Sequence, residues 1–223
     1  MPIVGTGMLL TSMDIDAADE AEFNRWYDFE HLEERVAIDG FLEARRYVAD
    51  RGSPKYLCLY STSTIDVFDG TAYKTRLANP TAWSKRIMAQ FKNMIRSVAR
   101  ITISRGNGRG AALGVVRLRP TRASAEGLRA WLGDAMNPRS LDGVVSMHLI
   151  ESDPVLSGPL TGKPSASDPT GGDWFVLIDA TDAEAVSAAI SALSANPESF
   201  KSSTISTGIY RLMWDLAKSD IPA

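Results

Sequence analysis

Two periods of apolar residues run along the chain, and each predicts one type of element. Short apolar runs bounded by glycine, proline or polar clusters predict strands, whereas apolar residues three or four positions apart predict helices. In the first half, strands are expected at residues 3–13, 41–49, 56–62 and 99–104. Helices are expected at residues 22–38, 66–78 and 81–97. The predicted order is therefore β-α-β-β-α-α-β.

The second half repeats this pattern. Strands are expected at 113–118, 143–151, 174–180 and 207–216, and helices at 124–136 and 182–193. Two successive β-α-β-β-α-β units predict an α+β fold of two tandem ferredoxin-like units with antiparallel sheets. The strands at 56–60 and 174–178 are apolar on both faces, so each needs cover on both sides. We expect the sheets to form an α+β barrel with helices outside and a ligand site in its interior.

The predicted units comprise residues 1–108 and residues 109–223. The first contains the additional helix at 81–97. The second contains an insert at 152–172, which is rich in proline, serine, glycine and threonine and is predicted to be a loop. Such a loop is a surface connection or a lid.

Composition narrows the classes of function. The chain has 223 residues, a formal net charge of −3, one cysteine and two histidines. Near-neutral charge argues against a dedicated nucleic-acid binder, and one cysteine excludes a disulfide framework. Two histidines exclude a three-histidine metal site. The first residues lack the basic region of a signal peptide, and no apolar run is long enough for a membrane span, so a cytoplasmic protein is expected.

One segment of the first unit resembles a known family. Phe23, Trp26 and His31 lie on the first predicted helix, and Gly40-Phe41 and Arg46-Tyr47 follow it. This arrangement resembles the EthD family of the dimeric α+β barrel superfamily. The resemblance implies the barrel fold and a homodimer. Relatives in the superfamily include dehydratases, decarboxylases, isomerases, polyketide cyclases, cofactor-free monooxygenases, haem-handling enzymes and proteins without known activity.

His31 is the main candidate for chemistry, because an imidazole can both donate and accept protons near neutral pH. Tyr27 lies four residues earlier on the same helical face and could place its hydroxyl beside the imidazole. The alternative for His31 is a structural histidine bonded to a backbone carbonyl, and that for Tyr27 is ordinary packing. Glu30 and Glu34 could orient His31, whereas Glu33 and Arg35 are expected on a solvated helix end.

Arg45 and Arg46 are adjacent on a strand and therefore point to opposite faces. A buried arginine needs a carboxylate or an anionic ligand as its partner. Arg46 is assigned a catalytic role with His31 and Tyr27, and Arg45 is assigned to substrate binding; a salt bridge to a helix is the alternative. His148 aligns with Arg45 when the two units are superposed by sequence, and it is expected to bind substrate or to fill the core.

Aromatic and sulfur-containing side chains could form the wall of an apolar pocket. The predicted substrate-binding residues are Trp26, Arg45, Tyr60, Tyr73, Trp83, Met88 and His148. Plain helix packing is the alternative for Trp83 and Met88, and Cys58 is expected to be a small buried hydrophobe. No metal site and no cofactor are expected, since the known metal and phosphate motifs are absent from the sequence.

The expected function is a cofactor-independent enzyme acting on a small, partly apolar, oxygenated organic molecule. The reaction would be lyase-like or isomerase-like, namely dehydration, decarboxylation or proton transfer, with His31 as general acid or base. One alternative is a non-catalytic barrel that binds a small molecule. Another is a haem-linked or oxygen-using monooxygenase activity.

Overall fold

The computed structural model describes residues 3–158, 172–195 and 197–221. Eight antiparallel strands close into one barrel within the chain, in the order β1-β3-β2-β8-β5-β7-β6-β4. The α+β barrel fold predicted from the sequence is confirmed. The strands are β1 (Gly7–Asp14), β2 (Phe41–Arg51), β3 (Tyr56–Thr62), β4 (Lys92–Gly106), β5 (Ala112–Leu118), β6 (Val144–Ser152), β7 (Trp174–Ala180) and β8 (Thr204–Ala217).

The helices cover the outside of the barrel. They are α1 (Glu20–Trp26), α2 (Leu32–Val36), α3 (Thr71–Ala78), α4 (Ala82–Met88), α5 (Arg122–Ala135), α6 (Ala183–Ser194) and α7 (Glu198–Ser203). A π-helical turn, Tyr27–His31, joins α1 to α2, and Ile65–Asp69 forms a 3-10 helix before α3. No helix within the described ranges is long and apolar enough to span a membrane.

Strand pairing repeats between the two halves of the barrel. Each half has the strand order 4-1-3-2 when its own strands are counted, and β2–β8 and β4–β6 pairs join the halves. Gly40 and Gly143 precede equivalent strands with φ of +87° and +75°, a conformation that glycine adopts without strain. A register shift follows in each strand, between Phe41 and Glu43 in β2 and between Val144 and Ser146 in β6. The boundary predicted at 108/109 falls between β4 and β5.

The side chains form three apolar layers. One fills the barrel interior and includes Met8, Leu10, Leu59 and Leu177. The other two lie between the outer face of the sheet and the helices of each half. A cavity of about 20 Å³ remains at one end of the interior, room for about one water. Packed side chains therefore occupy the place where a ligand site was expected.

The helix predicted at 81–97 is wrong in its second half. It ends at Met88, and residues 92–97 belong to β4. The apolar spacing at Trp83, Ile87 and Met88 is helical, but β4 pairs with β1 on one side and with β6 on the other. This pairing closes the barrel and outweighs the local helical pattern.

One short helix was not predicted, and one predicted loop lies mostly outside the described residues. The short helix α7 was not predicted, because Glu198–Ser203 has no long apolar stripe. Most of the insert at 152–172 lies outside the described residues. Its first part, through residue 158, docks on β4, where Ser157 Oγ accepts from the Val98 amide at 2.9 Å and donates to the Val98 carbonyl at 3.0 Å.

Candidate functional site

A cavity lies between the outer face of the sheet and the helices of the first half. Its volume is about 70 Å³, room for about two waters at ~30 Å³ each. Half-buried Met88 and Phe91 and the exposed side chain of Met94 stand at its edge. The lining residues are Leu9, Thr11, Met13, Trp26, Tyr27, His31, Arg35, Tyr60, Tyr73, Leu77, Met88, Phe91, Met94 and Arg96.

The π turn determines which side chains face this cavity. The amide of Leu32 donates to the Tyr27 carbonyl, five residues earlier, in place of the four-residue spacing of an α-helix. In an α-helix, residues five apart would point about 140° away from each other, since each residue turns ~100°. The wider turn instead stacks the imidazole of His31 on the indole of Trp26, with ring centroids 4.0 Å apart and planes at 27°. Both rings thereby face the sheet.

His31 is held by aromatic rings rather than by hydrogen bonds. Only 8% of the residue is exposed, and Nδ1 is buried without a hydrogen-bond partner in the part of the chain that the structure describes. The edge of Tyr27 packs at 5.1 Å between centroids. Burial lowers the pKa of His31 well below its ordinary value, and the positive charges of Arg35 and Arg46 lower it further. The imidazole is therefore neutral at pH 7.

Two phenols flank the imidazole. The Tyr27 hydroxyl donates to Met13 Sδ at 3.8 Å, whereas the Tyr60 hydroxyl is buried with no partner among the described residues. Burial raises the pKa of both phenols well above the ordinary value, so both stay protonated. The Tyr60 hydroxyl, which interacts with Tyr27 and Cys58, keeps its proton and remains a hydrogen-bond donor. Between them, Cys58 has its pKa raised to about 11 by burial and stays a neutral thiol, as expected for a buried hydrophobe.

Arg35 was expected at a solvated helix end, and this expectation is wrong. The residue is only 5% exposed and lines the cavity four positions after His31. Its Nη1 atom has no hydrogen-bond partner, and no ion pair involves Arg35 within the described ranges. The sequence pattern around it, Glu-Glu-Arg near a helix end, is typical of a solvated surface. The spacing, however, places Arg35 four positions after His31, the same interval that separates His31 from Tyr27, so Arg35 lies on the cavity side.

The neighbouring glutamates are engaged elsewhere. Glu30 accepts hydrogen bonds from Trp26 Nε1 at 3.1 Å, Thr81 Oγ1 at 2.7 Å and Ser84 Oγ at 3.0 Å. It therefore ties the π turn to the start of α4 and does not orient His31. Glu34 lies 3.4 Å from Arg76 on α3. Neither carboxylate neutralises Arg35.

Arg46 lies behind Tyr27 and not at the cavity. Its Nη1 atom donates to Asp28 Oδ1 at 2.9 Å and its Nη2 atom donates to Asn24 Oδ1 at 2.5 Å. The guanidinium stands over the Tyr27 ring, 4.3 Å from the centroid. The structure thus places Arg46 where it supports the tyrosine that packs against His31.

Arg45 and His148 lie inside the barrel, at a different location from the cavity. Arg45 pairs with Glu43 at 2.8 Å and with Asp179 at 3.5 Å. The His148 imidazole contacts Ser104 Oγ at 2.9 Å and Ser146 Oγ at 3.2 Å, and burial and Arg45 lower its pKa to about 4. The two positions that align in sequence thus share one buried polar cluster between the units, and the cavity lies elsewhere.

The remaining predicted residues divide between the cavity wall and its surroundings. Trp26, Tyr60, Tyr73 and Met88 line the cavity. Tyr73 also accepts a hydrogen bond from Arg96 at 3.3 Å, and Arg96 donates to the Leu156 carbonyl at 2.8 Å. Trp83 packs on the same apolar layer without lining the cavity. No cluster of metal-binding side chains occurs in the described part of the chain.

No family model and no curated protein matches the chain. Solved structures match it over nearly its whole length. An anthrone oxidase-like protein has a TM-score of 0.71 at 9% identity, covering 100% of this chain and 98% of that chain. A candidate monooxygenase from Fusobacterium nucleatum subsp. nucleatum has a TM-score of 0.60 at 9% identity, covering 96% and 95%. A variant chlorite dismutase from Candidatus Nitrospira defluvii, in complex with cyanide, has a TM-score of 0.56 at 11% identity, covering 93% and 90%. These similarities show the ferredoxin-like α+β barrel fold.

Proposed function

We propose that the chain is a cofactor-independent enzyme that removes a proton from a small, apolar, oxygenated molecule, with His31 as the general base. The observation that supports it most is the cavity itself, which is lined by His31, a neutral imidazole whose Nδ1 has no hydrogen-bond partner among the described residues. A neutral imidazole accepts a proton without first losing one. The proposed site lies between the helices and the sheet, whereas the sequence predicts a ligand site in the barrel interior.

The proposed step is a proton transfer from a C–H bond next to a carbonyl. The bonding electrons stay on the substrate as an enolate, and the proton moves to the His31 imidazole. The Tyr60 hydroxyl donates a hydrogen bond to the developing oxyanion. Tyr27 and Trp26 position the imidazole, and Arg46 acts through Tyr27. The enolate then takes a proton elsewhere, which is an isomerisation, or loses a leaving group, which is a lyase reaction.

An oxygen-using fate of the same enolate is the second candidate. The names of the anthrone oxidase-like and monooxygenase neighbours favour it. A non-catalytic binding protein and a haem-linked activity remain the alternatives. The EthD-like relationship of the first unit, the homodimer and the cytoplasmic location expected from the sequence are parts of this proposal.

Deuterium exchange measures the proposed step without knowledge of the product. The protein is incubated with 2-indanone in D₂O, and loss of the proton signal next to the carbonyl is followed by NMR. We expect exchange well above the buffer rate and a fall of about 100-fold or more in His31→Gln, the usual size of a general-base effect. Dioxygen uptake in the same samples reports the oxygen-using fate.

His148→Gln is the matched control, because it replaces the chain's other histidine, which lies away from the cavity. Its exchange rate should stay within about threefold of that of the unmodified protein. A change of this size corresponds to less than ~1 kcal/mol in the activation free energy, too little for a role in the reaction. Equal exchange by His31→Gln and the unmodified protein would contradict the proposed role of His31.

A further inference from the structure

Arg35 is a buried cation without an anion. It is 5% exposed, and no carboxylate oxygen lies within salt-bridge distance of it in the described ranges. Its Nη1 atom is fully buried and has no hydrogen-bond partner in the described part of the chain. Burying an unpaired charge costs considerable free energy, and buried charges in proteins are normally paired or bind a ligand. An unpaired guanidinium at a cavity wall therefore points to a missing anionic partner.

Three other residues that line the same cavity also carry polar atoms without hydrogen-bond partners. Thr11 Oγ1, His31 Nδ1 and Tyr60 OH are buried without hydrogen-bond partners within the described residues, and all three residues line the cavity with Arg35. Buried polar groups are usually paired, so four unpartnered atoms on residues around one space are consistent with a ligand that supplies their partners. The apolar side chains of Leu77, Met88 and Phe91 line the same cavity.

Arg96, the second arginine that lines the cavity, already donates hydrogen bonds within the protein. Arg96 donates to the Leu156 carbonyl at 2.8 Å and to the Tyr73 hydroxyl at 3.3 Å. Of the two arginines, only Arg35 makes no such hydrogen bond within the described residues. The guanidinium has a planar set of donors that matches a carboxylate or another delocalised oxyanion.

We propose that Arg35 binds an anionic oxygen group, a carboxylate or a ring-bound oxyanion, of an apolar ligand that enters the cavity beside His31. This inference rests on the proposed function, since it names the substrate class for the same cavity. The apolar part of the ligand contacts Trp26 and the side chains at the cavity edge. The anion neutralises the positive charge of Arg35, which lies four positions after His31.

Binding of paired probes tests the assignment. Benzoate is compared with benzamide, and 4-nitrophenolate with 4-nitroanisole, by calorimetry on the full chain. Each pair has similar shape and differs in charge, and the two pairs distinguish a carboxylate from a ring-bound oxyanion. We expect at least one anion to bind about tenfold or more tightly than its neutral partner, as a charge-assisted bidentate contact provides.

Arg35→Gln should reduce the affinity for that anion to within about twofold of the neutral probe, because the guanidinium is lost. Arg35→Lys keeps the charge and should retain part of the preference. Arg96→Gln, at the same cavity, should retain the preference in full. The amide spectrum of each variant, compared with that of the unmodified protein, establishes that it folds.

Two results would overturn the assignment. These are no preference for either anion in the unmodified protein, or a full preference kept by Arg35→Gln, whether or not Arg96→Gln loses it. The proposed function is judged separately, because His31→Gln should abolish exchange and leave the anion preference unchanged. Loss of anion preference in Arg35→Gln, without any exchange activity in the unmodified protein, would retain the binding site and reject the enzyme.

Discussion

The imidazole of His31 stacks on the indole of Trp26 across five residues of sequence, with ring centroids 4.0 Å apart. This contact exists because a π turn separates two short α-helical segments. π turns of this kind occur frequently at functional sites in proteins. The stack turns His31 away from backbone partners and toward a cavity, and this orientation is the basis of the proposed chemistry.

The protonation state of His31 can be observed directly. Because burial and the charges of Arg35 and Arg46 lower its pKa, we expect the ring to remain neutral as the pH falls through 6.5. Arg35→Gln removes one of these charges, so the pKa of His31 should rise while remaining lowered by burial. Long-range ¹H–¹⁵N NMR of the two histidine rings provides the measurement, with His148→Gln identifying the signals. A His31 ring that titrates at its ordinary value would contradict this environment.

Replacing Arg35 should stabilise the protein in the absence of ligand. Arg35→Met removes an unpaired buried charge and keeps an apolar side chain of similar length, so we expect a gain of roughly 1–3 kcal/mol in the free energy of unfolding. Urea unfolding at pH 7 measures it. The exposed Arg86→Met is the control and should change stability by less than about 0.5 kcal/mol. A large loss of stability in Arg35→Met would show that Arg35 has a partner in the folded protein.

His148 should make the fold sensitive to acid. Its pKa is lowered to about 4 in the folded state, so the unfolded chain binds the proton more readily. The contribution of neutral His148 to stability is complete above its ordinary pKa of about 6.5 and is lost as the pH falls toward 4. A difference of about 2.5 pKa units corresponds to roughly 3 kcal/mol.

His148→Gln should therefore lose less stability than the unmodified protein between pH 7 and pH 4.5. Glutamine retains a polar side chain between Ser104 and Ser146, which limits the loss at pH 7. Urea unfolding at the two pH values gives the difference for each protein. Parallel losses in the two proteins would indicate that His148 does not determine acid sensitivity.

The size of the cavity entrance should determine which ligands enter. Met94 is 48% exposed and stands at the edge of a space of about 70 Å³, so a ring-sized ligand bound there extends past the Met94 side chain. Met94→Ala should admit larger rings, so we expect 1-naphthoate to bind more tightly relative to benzoate than it does in the unmodified protein. Calorimetry of the two acids measures this ratio. Val155→Ala, a change at another exposed apolar residue, should leave it unchanged.

The fold could be predicted from the sequence because strand patterns are local. The strands at 56–62 and 174–180 were predicted at the bounds that the structure gives. The start of β4 could not be predicted, because its helical apolar spacing competes with pairing to β1 and β6, which are distant in sequence. Pairing of distant strands has no signal in a single sequence.

The candidate site could be predicted only in part. Trp26, Tyr27 and His31 were identified as candidates, and the structure brings them together at one cavity with Tyr60. Arg35 was missed because the charged residues around it are typical of a solvated helix end, although its spacing of four from His31 places it on the same face. Arg45 and His148 align between the two units, yet the closed barrel places both in its interior.

Contacts between a bound ligand and the two histidines test the central claim most directly. Intermolecular NOEs are recorded between 2-indanone or benzoate and the ring protons of His31 and His148 in the full chain. We expect NOEs from the ligand to the His31 ring and to the methyl groups of Met88 and Met94. NOEs to the His148 ring without any to His31 would place the ligand inside the barrel and contradict the proposed site.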